Sequence, residues 1–434
     1  MVHPRKDNNE AILVIGAGTW GLAAAHRLSC AGYTDITVLE KDNQVPSRYS
    51  AGYDLNKIIR AEYAAPFYTP VTLEAIKRWH DDPLYSPHFR QVGVLNAVPG
   101  TAPESSKETL RRYLESISDH PAFRGKITPC LDSASIKRHV PALTGNLEGW
   151  NSYLNTHAGY VHSTNAMKAV YDDCVRRGVS FRTGFRGEVA QLLFAAGSGR
   201  CIGARTHGNT EYFASKVIVA LGASVARLIP ALATQITARC WGVSHIQLSP
   251  SEAEKLRGLP VINVRDIGFF FEPDLETNKL KICHMGGGYT NFAGSGTSLP
   301  PSKLFESEFI LEEDEQATRR LLREALPELA DRPLIDAHLC WFADTSDSDY
   351  IIDYVPGTEG SLVALSGDSG HGFKVFPLMG DIVMKLLDEG RQDVPEWRWK
   401  GSKRSEAENV GWRTGSSKEL TDVARAKLNG INCH

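Results

Sequence analysis

Residues 11–40, AILVIGAGTWGLAAAHRLSCAGYTDITVLE, restrict what this chain can fold into more than any other stretch. An apolar run over 11–15 reads as a buried strand, followed at once by Gly16, Gly18 and Gly21 in the spacing G-x-G-x-x-G. Each glycine has its own reason: Gly16 makes the tight turn, Gly18 lets a pyrophosphate approach the backbone, and Gly21 lets the next helix lie close on the strand. That helix, expected over 22–31 from its Ala and Leu content, begins with free N–H groups aimed at the phosphate, with Thr19 and Trp20 beside it. A second strand over 36–39 closes at Glu40, where an acidic side chain can hold ribose hydroxyls, and Lys41 follows. Strand, turn, helix, strand and acid in this order point to a dinucleotide-binding βαβ unit. Glu40 disfavours a 2′-phosphate, so FAD or NAD is expected rather than NADP.

The chain is long enough, at 434 residues, for two domains, and 42% hydrophobic with 23% charged residues is the balance of a globular protein. A formal net charge of -3 without a dense basic run argues against a general nucleic-acid binder and leaves small-molecule chemistry as the default. The eight cysteines form no C-x-x-C pair, so neither a zinc site nor a disulfide framework is expected, and no metal is assigned. The opening MVHPRKDNNE lacks the apolar stretch of a signal peptide, and no run of about 18 apolar residues could span a membrane. The expectation is an intracellular, cytoplasmic protein with no membrane partner. Ala426, Lys427 and Leu428 match a peroxisomal tripeptide, but 429–434 follow it and such signals are read at a terminus, so only a form ending at Leu428 would carry it.

Further along, 47–70 is too polar and too Gly/Pro-punctuated for a simple strand; Lys57 and Arg60 lie three apart, so a helical turn would put both cations on one face. Apolar spacing predicts packing helices over 71–79 and 108–117, then a crossover helix that Gly178 ends before a strand at 179–181. The run KVIVALG, 216–222, is another buried strand, whose end at Gly222 can approach the same cofactor. Residues 241–292 alternate as a mainly antiparallel sheet placed to roof a cleft. A charged amphipathic helix is expected over 306–326, strand character over 340–353, a strand running into a glycine-rich loop over 362–374, and a helix over 377–387. The polar tail after Trp399 is expected to lie loosely on the surface.

Taken together, AILVIGAGTWGLAAAHRL, SAGYDLNKIIRAEY, KVIVALGA, GFFFEP followed by KLKIC, LCWFADTSDSDYIID and GDSGHGFK stand in the order seen in the sarcosine oxidase and fructosyl amino acid oxidase (amadoriase) family. The chain resembles these FAD-dependent oxidases of secondary amines from about residue 11 to 399. The resemblance implies an α/β + β fold of the glutathione-reductase-like, DAO/sarcosine oxidase type: a Rossmann-type FAD-binding domain at 1–60, 150–230 and 335–390, an inserted, mainly antiparallel β-sheet substrate domain at 61–149 and 231–334, and a C-terminal tail at 391–434. It implies that Cys340 is bonded to the flavin 8-methyl group, a thiolate adding to the electron-poor ring. It implies that Lys281 sits over the flavin near N5, where a cation stabilises the superoxide formed as oxygen is reduced, with Lys57 as a second catalytic lysine. Ser50, Val161, Gly222, Asp344, Gly370, His371, Gly372 and Phe373 are the further cofactor contacts it implies.

For the substrate, Arg60 and Lys374 would form a two-cation clamp on an amino-acid carboxylate beside Tyr63, Lys374 also lying at the cofactor. One position departs from the fructosyl branch, which usually has a glutamate four residues after the lysine over the flavin; here Met285 stands there, and a thioether accepts hydrogen bonds from sugar hydroxyls poorly. A sarcosine-, pipecolate- or saccharopine-like secondary amino acid is therefore preferred over a fructosyl amino acid, oxidised to an imine while O2 becomes H2O2. His284 is expected as an outward-facing strand histidine, and Arg398, in W-R-W-K, as a residue reaching a second acidic group. A nicotinamide-dependent dehydrogenase and a non-catalytic dinucleotide binder are the competing classes, since the glycine motif alone serves all three.

Overall fold

The structure is a computed structural model and describes residues 10–294, 296–401 and 415–428. The strand Ile12–Ile15 is buried along its whole length, as the centre of a sheet covered on both faces requires. It pairs in parallel with Lys216–Val219 on one side and Ile36–Glu40 on the other. Among the described residues this sheet has six strands, continued by Ser180–Thr183 at one edge and by Leu362–Ser366 and the antiparallel Ile351–Tyr354 at the other. The helix Thr19–Cys30 begins three residues ahead of the expected start and packs against Ser163–Arg176 and Phe376–Glu389. The last contact is close: a Cβ on Gly380 would stand 2.5 Å from both Ala23 O and Arg27 Cβ.

The second sheet has ten strands among the described residues and is mainly antiparallel. Its long central strand, Ile236–Gln247, lies between Lys279–His284 and Ile335–Thr345. Ile335–Thr345, expected with the cofactor-binding segments, thus belongs to the larger sheet and carries Cys340 into it. Alternation along these strands turns Trp241, Val243 and His245 to one face, where they stand opposite Cys340, Cys283 and Lys281 respectively.

Two local expectations are corrected. Lys57–Ile59 is a strand rather than a helical turn, antiparallel to Gly159–Val161; partners more than a hundred residues on supply its hydrogen bonds, so its own composition carries no signal. The described part of the tail does not lie loosely: Lys418–Glu419 pairs in parallel with Tyr289–Thr290, and Ala426 and Leu428 pack against the second sheet's apolar cluster. The tripeptide at 426–428 is thereby tied to the core. Residues 1–9, 402–414 and 429–434, which include most of the opening segment and the residues that follow the tripeptide, lie outside the described residues. Among the described residues no helix is long and apolar enough to cross a membrane.

Candidate active site

A cavity of about 710 Å³ runs from the glycine turn of the first sheet to the face of the second, in the size range of a cofactor or substrate cleft. At one end Gly16, with φ +104°, makes the turn that only glycine makes comfortably, and an added Cβ there would lie 2.5 Å from Ala220 O. A Cβ on Gly21 would overlap Gly16 O, which is the close helix-to-strand contact expected of that position. Gly18, Thr19, Trp20, Glu40, Lys41, Ser50 and Gly222 all line this end. Glu40 is buried, with Oε2 accepting from Ala17 N (2.9 Å) and Oε1 from Asp42 N (2.9 Å) and Ser47 Oγ (2.8 Å). Burial raises its pKa against those hydrogen bonds. The cavity wall is thus open and backbone-lined where a pyrophosphate would lie.

Where the two sheets meet, the wall is built by Lys57, Lys281, Cys340 and the loop 370–374. Lys281 is 1% exposed; its Nζ donates to Asp54 Oδ2 (2.5 Å) and to Asn56 O (2.8 Å). Lys57 Nζ donates to the same Asp54 oxygen at 2.7 Å and stands 3.7 Å from Cys340 Sγ. One carboxylate therefore serves two ammoniums, in place of the single cation expected over the ring. Burial opposes ionisation of Asp54, but Lys281 and Lys57 outweigh it and hold its carboxyl well below the usual range. Burial lowers Lys281, Asp54 opposing it. Cys340 is partly exposed toward the cavity, whereas five of the other cysteines among the described residues are buried. Asn56 Oδ1, on the same wall, is buried without a hydrogen-bond partner among the described residues, an acceptor that a ligand N–H would satisfy.

Beyond lies a basic, aromatic region. Arg60 donates from Nη1 to Glu62 O, and its guanidinium carbon stands 4.5 Å from the Tyr113 ring and 5.5 Å from the Tyr63 ring. Lys374 Nζ is 5.8 Å from the Tyr63 ring. His371 is fixed as a neutral imidazole: its Nε2–H donates to Ser348 O (2.8 Å) while Nδ1 accepts from Tyr350 (2.9 Å) and Tyr63 (3.3 Å). Burial, with the nearby Lys374 and Arg60 charges, pushes it down to about 3. Tyr63, Met285, Gly370, Gly372 and Phe373 also line the cavity.

Several assignments from sequence fall elsewhere. Val161 is a buried strand residue paired with Lys57 and does not line the cavity. Asp344 pairs with Arg239 at 2.7 Å, away from the wall. Gly21 acts through packing and not by contact. Arg398 donates from Nε to Gln392 O (2.9 Å) and is not among the residues lining the cavity. His284 is half-buried and bound to Asp314 (2.8 Å), not turned to solvent. His26, Cys30 and Asp173 bring three ligand atoms within 4.8 Å, a grouping their sequence spacing does not announce. Asp173 is already shared by His26 (2.7 Å), Arg177 (2.6 Å) and Arg176 (2.8 Å), so the group is an ion-pair cluster.

Sequence reasoning missed Asp54, Tyr113 and Arg265, all on the wall. Asp54 had a faint signal, an acid three residues before Lys57 in the same loop; Arg265 closes the apolar run V-I-N-V; Tyr113 reads only as a packing residue of its helix.

The sequence profile of the family described as FAD dependent oxidoreductase matches residues 11–386. The chain is 28% identical to L-saccharopine oxidase of Schizosaccharomyces pombe over 93% of its own length and 96% of that protein's. It is 25% identical to a monomeric sarcosine oxidase of Bacillus sp. over 88% and 93%. Fructosamine oxidase (Amadoriase II) of Aspergillus fumigatus superposes with a TM-score of 0.88 at 30% identity, covering 99% of each chain. The chain belongs to the DAO, sarcosine oxidase and amadoriase family of FAD-dependent amine oxidases, enzymes that oxidise carbon–nitrogen bonds with O2 as acceptor.

Proposed function

We propose that the chain oxidises the secondary amine of an N-substituted amino acid, with FAD bonded to Cys340 and the substrate carboxylate held by Arg60 and Lys374. The observation that carries this is the presence on one cavity wall of a cysteine sulfur with Lys57 Nζ 3.7 Å away and of two cations, Arg60 and Lys374, with no salt bridge to an acid among the described residues. FAD supplies the hydride-accepting ring and the route to oxygen. Arg60 and Lys374 would hold the carboxylate and so orient the carbon beside the nitrogen toward the acceptor. Asn56 Oδ1 stands ready to accept an N–H, and Tyr63 with neutral His371 walls the amine from water without offering a proton at neutral pH. Lys281 presents its positive charge where reduction of O2 generates an anion.

Within this class the comparisons reverse the order of preference read from Met285. Fructosamine oxidase (Amadoriase II), fructosyl amine:oxygen oxidoreductase (Amadoriase I) and fructosyl peptide oxidase are among the solved structures that superpose on the chain, which supports a fructosyl amino acid ahead of a sarcosine-, pipecolate- or saccharopine-like substrate. All are secondary amines beside a carboxylate, and the same clamp serves each. The test is anaerobic bleaching of the flavin, followed by peroxide release on admitting air, across sarcosine, pipecolate, saccharopine and fructosyl amino acids. Bleaching by at least one is expected; a flavin that none of them bleaches contradicts the proposal.

Burial, reinforced by Arg60, holds the Lys374 ammonium well below the ordinary lysine range. Its charge, and the attraction it adds for a carboxylate, is therefore lost at a lower pH than an ordinary lysine's. The dissociation constant of acetate, which stays ionised, is expected to rise as pH climbs from about 6 to 10, and Lys374→Arg to flatten that rise because arginine stays charged. A flat wild-type profile would remove Lys374 from the clamp.

A further inference from the structure

We propose that His245 and His338 form a proton route from solvent to Lys281, recharging its ammonium group each time O2 is reduced to H2O2. This rests on the oxidase reading above and deepens it by giving a source for a proton that the reaction consumes. Hydride taken from the amine carries two electrons and one proton, and the amine leaves as an iminium ion. O2 takes up those electrons and that proton, and needs one further proton to depart as H2O2. Lys281 is placed to give it: of the three hydrogens an ammonium carries, one is bound by Asp54 Oδ2 at 2.5 Å and another by Asn56 O at 2.8 Å. The third remains for the oxygen anion. The neutral amine left behind must then be protonated again before the next turnover.

The groups bound to Lys281 do not return that proton. Asn56 O is a carbonyl, and the Phe271 ring, 5.2 Å from Nζ, has no proton to give. Burial opposes ionisation of Asp54, but Lys281 and Lys57 outweigh it, so the carboxyl stays ionised and carries no proton. Lys281 is 1% exposed with its cavity side counted, which keeps bulk water from it. His245 has the means. It stands opposite Lys281 on the neighbouring strand and on the same face of the sheet, where paired Cβ atoms lie about 4.5–5.5 Å apart. It is 5% exposed, and its Nδ1 is buried without a hydrogen-bond partner among the described residues. An imidazole accepts a proton on one nitrogen while releasing one from the other. Across the same central strand, His338 stands opposite Val243, and its ring lies 6.1 Å from that of His245. One water between ring nitrogens bridges that spacing. His338 is half-buried; its Nδ1–H donates to Asp336 O (3.0 Å), which leaves Nε2 as an acceptor. Exposure thus rises from Lys281 through His245 to His338. The charged groups facing this line are Lys281, Lys57 and Asp54 at its inner end and Asp336, paired with Lys279 at 2.7 Å, at its outer end. Burial, against the pull of Asp54, lowers both imidazoles, His245 to about 4, so at neutral pH they pass protons and do not store charge.

The experiment uses flavin-loaded enzyme reduced by light, so that no amine enters it. His245→Phe and His338→Phe should each slow reoxidation by O2 about 10- to 100-fold, up to the low end of what a general acid–base group contributes, and should enlarge the solvent isotope effect on that step. The second readout is exchange of the Lys281 ammonium protons with solvent in the oxidised, resting enzyme, followed by nitrogen-edited NMR and identified by its absence in Lys281→Met. That exchange should fall by a similar factor in both variants. His338→Phe lies at the half-buried end and gives the answer if the buried variant fails to fold. Reoxidation or exchange at the wild-type rate in His338→Phe overturns the proposal, and so does slowing without a larger solvent isotope effect, which would mark a purely structural role. Failure of every candidate amine to bleach the flavin would fall on the substrate reading and leave these measurements untouched.

Discussion

Asp54→Asn is expected to be the most damaging single substitution in the chain, costing about 3 to 5 kcal/mol of folding stability, because it strips a buried carboxylate from two ammoniums at once. Lys281 has nowhere to turn: it is 1% exposed, and besides Asp54 its Nζ meets only the Asn56 carbonyl and the Phe271 ring among the described residues. Denaturant titration of the flavin-free protein reads the loss without interference from the cofactor. The sign with pH follows from the direction of the shift. The folded carboxyl of Asp54 lies below its unfolded value, so its contribution is fully present above about pH 4 and fades as pH falls. The gap between wild type and variant should narrow in acid. A loss below about 1 kcal/mol at neutral pH would mean that the lysines are not held by this acid.

Lys281→Met should produce the largest kinetic effect, slowing the reaction of reduced enzyme with oxygen by about 10²- to 10³-fold, the range for removing one preorganised charge from a developing anion. Anaerobic reduction by the amine should change far less, since the clamp proposed for the substrate, Arg60 and Lys374, lies on another part of the wall. Asp54 keeps Lys57 at 2.7 Å, so the variant retains one ion pair and should fold. Stopped-flow measurement of the two half-reactions separates them. Equal slowing of both would assign Lys281 to structure and leave oxygen reactivity to another group.

What could be read from the sequence was what short-range physics specifies. The unit at 11–40 is legible because strand burial, glycine sterics and helix composition are each local, and the observed helix Thr19–Cys30 starts only three residues early. The strand Lys57–Ile59 was not, since its hydrogen bonds come from Gly159–Val161. Nor was the Asp54 centre, whose two partners lie 3 and 227 residues away. A buried acid that neutralises distant lysines looks, in sequence, like any loop aspartate. Arg398 shows the converse, a cation in an aromatic run that suggests recognition and is spent on nearby carbonyls. Arg265 and Arg60 meet the Tyr113 ring, at 5.3 and 4.5 Å, from separate segments of the chain, so this grouping exists only after folding. The place of Cys340 on the cavity wall was suggested by family resemblance and not by its composition, since a lone cysteine reads as any small buried residue.

Bonding of the flavin to Cys340 is tested most directly by precipitating the purified enzyme with acid and washing the pellet. The sulfur lies on the cavity wall with Lys57 Nζ 3.7 Å away. A pellet that stays yellow, and turns colourless in Cys340→Ala with the flavin recovered in the supernatant, is the predicted result. Free flavin released from the unmutated protein would contradict the bond.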